Sequence, residues 1–137
     1  MTTKTTYTIQ EVSKKYHLNA STLRYYEELG LLTNVQRTST QKRIYTQEHL
    51  GRLDAIMCFK RTGMPIIKIK EFFQYEQHLS ENIDDIIHLV ETHEQDIQTK
   101  LQELQSDLEH IQKKVRYFKA LKNAYAQSLP FPNYDTI

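Results

Sequence analysis

A mainly α-helical fold is what the sequence predicts, on three observations. Only three Gly and three Pro interrupt 137 residues, and few breakers favour helices. Two short helical patterns separated by a turn occupy the stretch from Thr8 to Leu29. From Ile83 to Tyr125 apolar residues then recur in alternating steps of three and four, a narrow stripe sustained over about six heptads, as in a coiled coil.

The first helix starts at Thr8, because Thr8-x-x-Glu11 reads as a capping box in which hydroxyl and carboxylate satisfy free backbone donors. Ile9, Val12 and Tyr16 give it an apolar face. The chain turns at Tyr16-His-Leu-Asn19, and Asn19 can cap the next helix. That helix runs to about Leu29 and stops at Gly30, the residue type that tolerates a left-handed C-cap. Two short helices joined this way have the layout of a helix-turn-helix. Leu31 to Tyr45 lacks helical periodicity and carries β-branched residues around a polar centre, which predicts a two-stranded hairpin, or wing. Thr46 can cap a third helix that extends through Arg61 and ends at Thr62-Gly63. Pro65 fits the first turn of a fourth, with Ile66, Ile69, Phe72 and Phe73 facing inward.

The long helix follows. Its seam is interrupted only at Glu94 and Lys122, and at ~1.5 Å per residue it spans on the order of 60 Å. Such a seam needs a partner, and a second copy is the simplest source. With Ile87, Leu101, Leu108 and Val115 at a and Ile83, Val90, Ile97, Leu104 and Ile111 at d, the e positions run from Asp84 and Glu91 to Lys119. An antiparallel pair sets Asp84 against Lys119 at each end, whereas a parallel pair places Lys114 beside Lys119. Exposed pairs are worth only about 0–1 kcal/mol each, a bias toward antiparallel. The expected organisation is residues 6–75 as a winged helix-turn-helix DNA-binding domain, 76–126 as a dimerisation coiled coil, and 127–137 as a C-terminal tail with two prolines and no periodicity.

Charge divides along the same line. Residues 1–75 hold 12 Lys/Arg against 6 Asp/Glu, while residues 76–137 hold 6 against 11. A basic first half suits nucleic acid, and an acidic second half argues against DNA contact there. No apolar run approaches membrane-spanning length, and the polar N-terminus reads as lacking a signal peptide. One cysteine excludes an internal disulfide framework and fits a reducing cytoplasm. No paired carboxylates, nucleophile–base set, phosphate-cradling glycine loop or metal cluster is visible, so neither an enzyme nor a cofactor is expected. His88 and His93 are five apart, which does not place two ligands on one helix face.

The chemistry that remains is that of phosphates and base edges. In the second helix Arg24 can grip a guanine edge bidentately or a phosphate. The hydroxyls of Ser21, Thr22 and Tyr25 suit phosphate oxygens. An amphipathic helix whose tyrosines pad a core is the bland alternative. The wing tips the balance, because Arg37, Lys42 and Arg43 gather beside Tyr45 and a basic hairpin answers no need of folding.

These residues carry a specific resemblance. Thr-Leu-Arg-Tyr-Tyr-Glu-Glu-Leu-Gly-Leu-Leu (22–32), Arg-x5-Arg-x-Tyr (37–45) and Thr-Gly-Met-Pro-Ile-Ile-Lys-Ile-Lys (62–70) resemble the MerR family of bacterial transcription regulators. The resemblance implies a winged helix-turn-helix, an antiparallel coiled-coil homodimer, and binding to a palindrome within double-stranded promoter DNA. It implies transcription control by distortion of an over-long promoter spacer, so that RNA polymerase is engaged indirectly. On that pattern Arg24, Tyr25, Arg43 and Tyr45 are DNA contacts. The chain departs in the wing, where the family often has Gly-Tyr and this sequence has Gln41-Lys42. That leaves the turn geometry open and gives Lys42 an additional phosphate contact.

The input is a separate question. Metal-sensing members carry cysteines near the end of the long helix, and this chain has none there. Drug-sensing members add a ligand domain that eleven tail residues cannot form. Cys58, in Met-Cys-Phe-Lys-Arg-Thr-Gly-Met, resembles the lone cysteine of the aldehyde- and thiol-stress (AdhR- and NmlR-like) branch. Lys60 and Arg61 lie within one turn and would favour the thiolate, the nucleophile toward electrophiles. A buried, inert core cysteine among Ile56, Met57 and Phe59 is the alternative. Two other readings stay open. In one, a small ligand is held between coil and DNA domain, lined by Tyr117, Phe118, Tyr125, Phe131 and Tyr134. In the other, the chain is a coiled-coil adaptor whose basic end docks an acidic protein.

Overall fold

The computed structural model describes residues 5–137. The polar residues 1–4, on which the expected lack of a signal peptide partly rests, lie outside the described residues. In chain order the elements are β1 (Thr6–Thr8), α1 (Ile9–Tyr16), α2 (Ala20–Glu28), β2 (Gln36–Arg37), β3 (Arg43–Thr46), α3 (Gln47–Arg61), α4 (Ile66–Gln77), α5 (Leu79–Gln127) and a 3-10 turn (Tyr134–Thr136). The chain forms two compact units, one ending at Glu91 and the other running from Thr92 to Ile137. The fold is mainly helical, as expected.

In the first unit the local signals act largely as read. Thr8 caps α1 through its hydroxyl, which accepts from the Glu11 N–H at 3.1 Å, while the Glu11 carboxylate accepts from the Thr8 N–H at 3.1 Å. Helix α2 ends in a Schellman arrangement. Gly30 adopts φ +79°, the Leu31 N–H donates to Tyr26 O at 2.9 Å and the Gly30 N–H to Glu27 O at 3.0 Å, which satisfies carbonyls the helix leaves open. Asn19 does occupy the N-cap of α2, but its side chain makes no capping bond. Ile66 is the other departure: it is exposed at the start of α4, where only Ile69 and Phe73 are buried.

The hairpin is present and larger than expected. β3 pairs antiparallel with β2 on one side and with β1 on the other. β1 went unread because three residues, Thr-Tyr-Thr, are too few to show alternation, and Thr8 was already assigned to the helix cap. The wing turn closes with the Gln41 N–H donating to Thr38 O at 2.9 Å and the Thr38 N–H to Lys42 O at 2.8 Å. Gln41 itself sits at φ +65°, the left-handed region that glycine occupies without strain.

One core cluster holds the unit together. Val12 of α1, Leu23 and Tyr26 of α2, Leu31 and Leu32 of the following turn, Tyr45 of β3, Leu53 and Ile56 of α3 and Ile69 of α4 are all essentially inaccessible. Leu89, early in α5 and outside the heptad seam, packs partly buried against this cluster. Polar struts cross between elements. The Tyr16 hydroxyl donates to Asp54 Oδ1 at 2.8 Å, and Arg52 Nε donates to Leu31 O at 2.6 Å while its guanidinium stacks 4.3 Å from the Phe73 ring centre. His49 is buried with both ring nitrogens engaged. Nδ1 accepts from the Thr46 N–H at 2.9 Å, so Nε2 carries the proton and donates to Thr33 O at 2.6 Å. That bracket joins the exit of β3, the loop before β2 and the first turn of α3.

In the second unit the residues after α5 fold back onto the end of that helix. Ser128 turns left-handed at φ +52°, and the Leu129 N–H donates to Ala124 O at 3.0 Å. Ala124 is the buried residue of α5.

Replacing Gln41 by glycine removes the cost of a side chain in the left-handed region. Gln41→Gly should therefore raise stability by up to ~1 kcal/mol, measured as a higher denaturation midpoint in urea; a lower midpoint would mean that the glutamine side chain stabilises the turn.

Candidate nucleic-acid interface

Helix α2 buries Leu23 and Tyr26 and turns the opposite face outward. Ser21, Arg24 and Tyr25 are exposed, Tyr25 at 48%, and Thr22 is half-buried. The wing presents Arg37 and Lys42 exposed, with Arg43 half-buried. A cleft of about 540 Å³ is lined by Arg24 of α2, by Thr38, Gln41, Lys42, Arg43 and Ile44 of the wing, and by residues 6–11 of β1 and α1. Thus Arg24 of α2 meets Lys42 and Arg43 of the wing at one concavity, although they are far apart in sequence, while Arg37, Ser21, Thr22 and Tyr25 lie outside its lining. Three cations against one carboxylate, Glu11, which is held by the Thr8 N–H, leave the cleft net positive, a surface for a polyanion.

The register of the wing sharpens the electrostatics. Arg37 stands directly opposite Arg43 across the β2–β3 ladder, and like charges in that position repel. Arg43 Nε donates to Glu27 Oε2 at 2.7 Å, so the carboxylate of α2 offsets the repulsion and ties the helix to the wing. Both groups are about one-quarter exposed or less, and such a charge-assisted bond contributes on the order of 1 kcal/mol. Sequence reasoning left Glu27 without a role. It is sixteen residues from Arg43, and no local pattern announces a partner at that distance.

Tyr45 departs from its expected place. Its side chain is 0% exposed and packs edge-on to the His49 ring, 5.8 Å between centres. A wholly enclosed side chain is not on the surface that a duplex touches, so its reading as a DNA contact is corrected to that of a core residue. Strand alternation explains the difference: Arg43 and Tyr45 share one face of β3, and that face turns toward α2 and the core. The Tyr45 hydroxyl is buried with no hydrogen-bond partner among the described residues. Burial pushes its pKa above the ordinary tyrosine value, Glu27 adds to the rise, and Arg43 opposes it.

Cys58 is exposed, not buried in the core. It occupies the last turn of α3. The Lys60 ammonium, expected beside it, donates to the Tyr26 hydroxyl at 2.8 Å, while Arg61 is exposed. Of the aromatic residues read as possible ligand-site lining, Tyr117 stacks edge-on with Tyr134 at 5.2 Å and Tyr125 packs on Phe131 at 4.8 Å.

A buried hydroxyl without a partner is better absent. Tyr45→Phe should be neutral or stabilising by up to ~1 kcal/mol and should leave DNA affinity unchanged; loss of affinity would return the hydroxyl to the interface. Because folding raises the Tyr45 pKa, its share of stability is complete below the unfolded value of about 10 and falls as pH rises beyond it. The phenylalanine variant should lose less stability than the parent in denaturant titrations above about pH 10.

Comparison with known proteins places this geometry. Residues 7–76 match the MerR HTH family of regulatory proteins. An uncharacterised HTH-type transcriptional regulator of Haemophilus influenzae is 31% identical over 128 residues, 91% of this chain and 95% of that protein. The HTH-type transcriptional regulator AdhR of Bacillus subtilis is 36% identical over 64 residues, 47% of this chain and 46% of AdhR. Among solved structures, HiNmlR, a MerR family regulator lacking the sensor domain and bound to promoter DNA, aligns with a TM-score of 0.79 at 30% identity, covering 93% of this chain and 99% of that one. With a family match over half its length and a relative of 31% identity spanning nearly all of it, the chain belongs to the MerR family of helix-turn-helix regulatory proteins.

Proposed function

We propose that this chain is a cytoplasmic, homodimeric transcription regulator that binds a promoter palindrome in double-stranded DNA and controls transcription by distorting it, engaging RNA polymerase through the DNA. The observation that carries this reading is the meeting of Arg24, from the exposed face of α2 that also bears Ser21 and Tyr25, with Lys42 and Arg43 of the wing around one cleft. The likeness to HiNmlR along almost the whole chain supports it, since that regulator is bound to promoter DNA. Arg24 is the side chain for a base edge or phosphate, Lys42 and Arg37 reach phosphates, and Arg43 acts mainly through Glu27 to hold the wing against α2. No enzymatic step enters this reading.

Dimerisation is supported by the seam of α5. Leu101, Leu104, Leu108, Ile111, Val115 and Phe118 are all exposed, Leu104 at 66%. A row of large apolar side chains along one helix face is a surface that calls for a partner, and the acid-to-base gradient of its flanks favours an antiparallel second copy.

For the signal, we infer a thiol-reactive electrophile acting at Cys58. Exposure makes the sulfur accessible to a reagent, and Arg61 lies three residues on. Lys60, read as its other cationic neighbour, is instead engaged by the Tyr26 hydroxyl at 2.8 Å. The reading rests on accessibility and on the likeness to regulators of the AdhR kind.

Footprinting on the chain's own upstream region should protect one palindrome. Arg24→Ala should weaken that binding by roughly 5- to 150-fold, the worth of a base-edge contact, whereas Lys42→Ala should lower affinity across all sequences and reduce the salt slope by about one. Uniform, salt-sensitive protection of any duplex would remove the sequence-specific reading.

Promoter output under formaldehyde, methylglyoxal or diamide tests the input. Cys58→Ser is expected to abolish the response while leaving operator affinity intact; an unchanged response would take the cysteine out of the mechanism without touching the DNA reading.

A further inference from the structure

Lys60 and Tyr26 join two helix ends that are both closed. In α3 the Gly63 N–H donates to Lys60 O at 3.1 Å and the Met64 N–H to Phe59 O at 2.8 Å, with Gly63 at φ +89°. Helix α2 closes in the same way, with Tyr26 O accepting from the Leu31 N–H. Met64 is buried and Tyr26 is 1% exposed, so packing holds both turns. Across a sequence separation of 34 residues, Lys60 Nζ donates to the Tyr26 hydroxyl at 2.8 Å.

This ammonium can serve three ends: the thiol of Cys58, a phosphate of bound DNA, or the pose of α2. Its surroundings favour the third. Among the described residues Lys60 has no carboxylate partner, and it is the group that satisfies a buried phenol. Tyr26 and Leu23 form the buried face of α2, while Arg24 and Tyr25 stand on the exposed one. Apolar burial is non-directional, so Leu23 alone sets the rotation of α2 only coarsely. A rotation of about 15° moves a side-chain end at roughly 5–6 Å from the axis by on the order of 1.5 Å. That is enough to break a hydrogen bond and leave the Tyr26 hydroxyl unpaired in the core, at a cost in free energy. The same rotation swings Arg24 and Tyr25. Arg52 Nε, on Leu31 O at 2.6 Å, holds the residue just past the end of the helix, and Lys60 adds the tie on its flank.

We propose that Lys60 is a positioning residue for sequence recognition: through the Tyr26 hydroxyl it fixes the rotation of α2, and with it the aim of Arg24 and Tyr25 at the bases. This rests on the DNA-binding reading above and deepens it.

The test measures binding of the full chain to two duplexes across a salt series. One carries the palindrome protected in the upstream region, the other a scrambled sequence of equal length. Lys60→Met and Tyr26→Phe should each lower the ratio of the two affinities about 3- to 10-fold, the range of a single hydrogen bond, at unchanged salt slope and helix content. Combined, they should cost no more than either alone, because both remove the same bond. Lys60→Arg, which keeps a donor, should restore most of the discrimination. Equal weakening on both duplexes, with a salt slope smaller by about one, would make Lys60 a phosphate contact and overturn the proposal. A loss of discrimination that Tyr26→Phe does not share would overturn the link through the phenol. Unchanged discrimination in Lys60→Met would overturn it as well, and slower alkylation of Cys58 by iodoacetamide in that variant would then assign the ammonium to the thiol. If the parent shows no preference for the palindrome, the sequence-specific reading itself falls, and the positioning role with it.

Discussion

The first unit depends on where β3 is held. It is the central strand of the sheet, bonded to β1 and β2, and each of its outward ties reaches a different element. Arg43 bonds Glu27 of α2, Tyr45 fills the core between helices, and the Thr46 N–H is taken by His49 of α3. The helix and the wing, both read as DNA-facing, are thereby referred to one rigid strand. The Arg43–Glu27 bond at 2.7 Å ties the wing side of the cleft to α2.

Much of this was legible in the sequence, and the reason is locality. The capping box at Thr8, the glycine stop at Gly30, the start at Thr46 and the heptad stripe of α5 are all patterns within a few residues of one another. So were the exposed polar faces of α2 and the wing. What escaped depends on contacts distant in sequence. The partner of Arg43, the pairing of β1 with β3, and the enclosure of Tyr45 are decided by how elements pack, and Tyr45 in a basic strand looks like an interface residue until strand alternation places it against α2. For Cys58 the sequence left two readings, a reactive thiol and a buried core cysteine, because the apolar run Ile56-Met57-Cys58-Phe59 does not show that the helix turns Ile56 inward and Cys58 outward.

Gln41 shows how departure from a family pattern becomes geometry. A residue with a side chain occupies a left-handed turn position where glycine would be easier, and the neighbouring Lys42 is exposed at the cleft mouth. The turn is closed by backbone bonds and by the Thr38 hydroxyl, which accepts from the Lys42 N–H at 3.2 Å. The strain is thus borne next to a cation that faces the candidate nucleic-acid surface, where a long polar side chain adds reach.

Thr8 belongs to two elements at once. It is the last residue of β1, opposite Ile44, and the N-cap of α1. With no spacer between strand and helix, the sheet cannot shift its register without unwinding the first turn of α1, nor can that turn fray without loosening the strand pair. Backbone amides of the wing and of the first helix are therefore expected to open to solvent as one cooperative unit, so the part of the molecule that would grip DNA can lose its shape only all together.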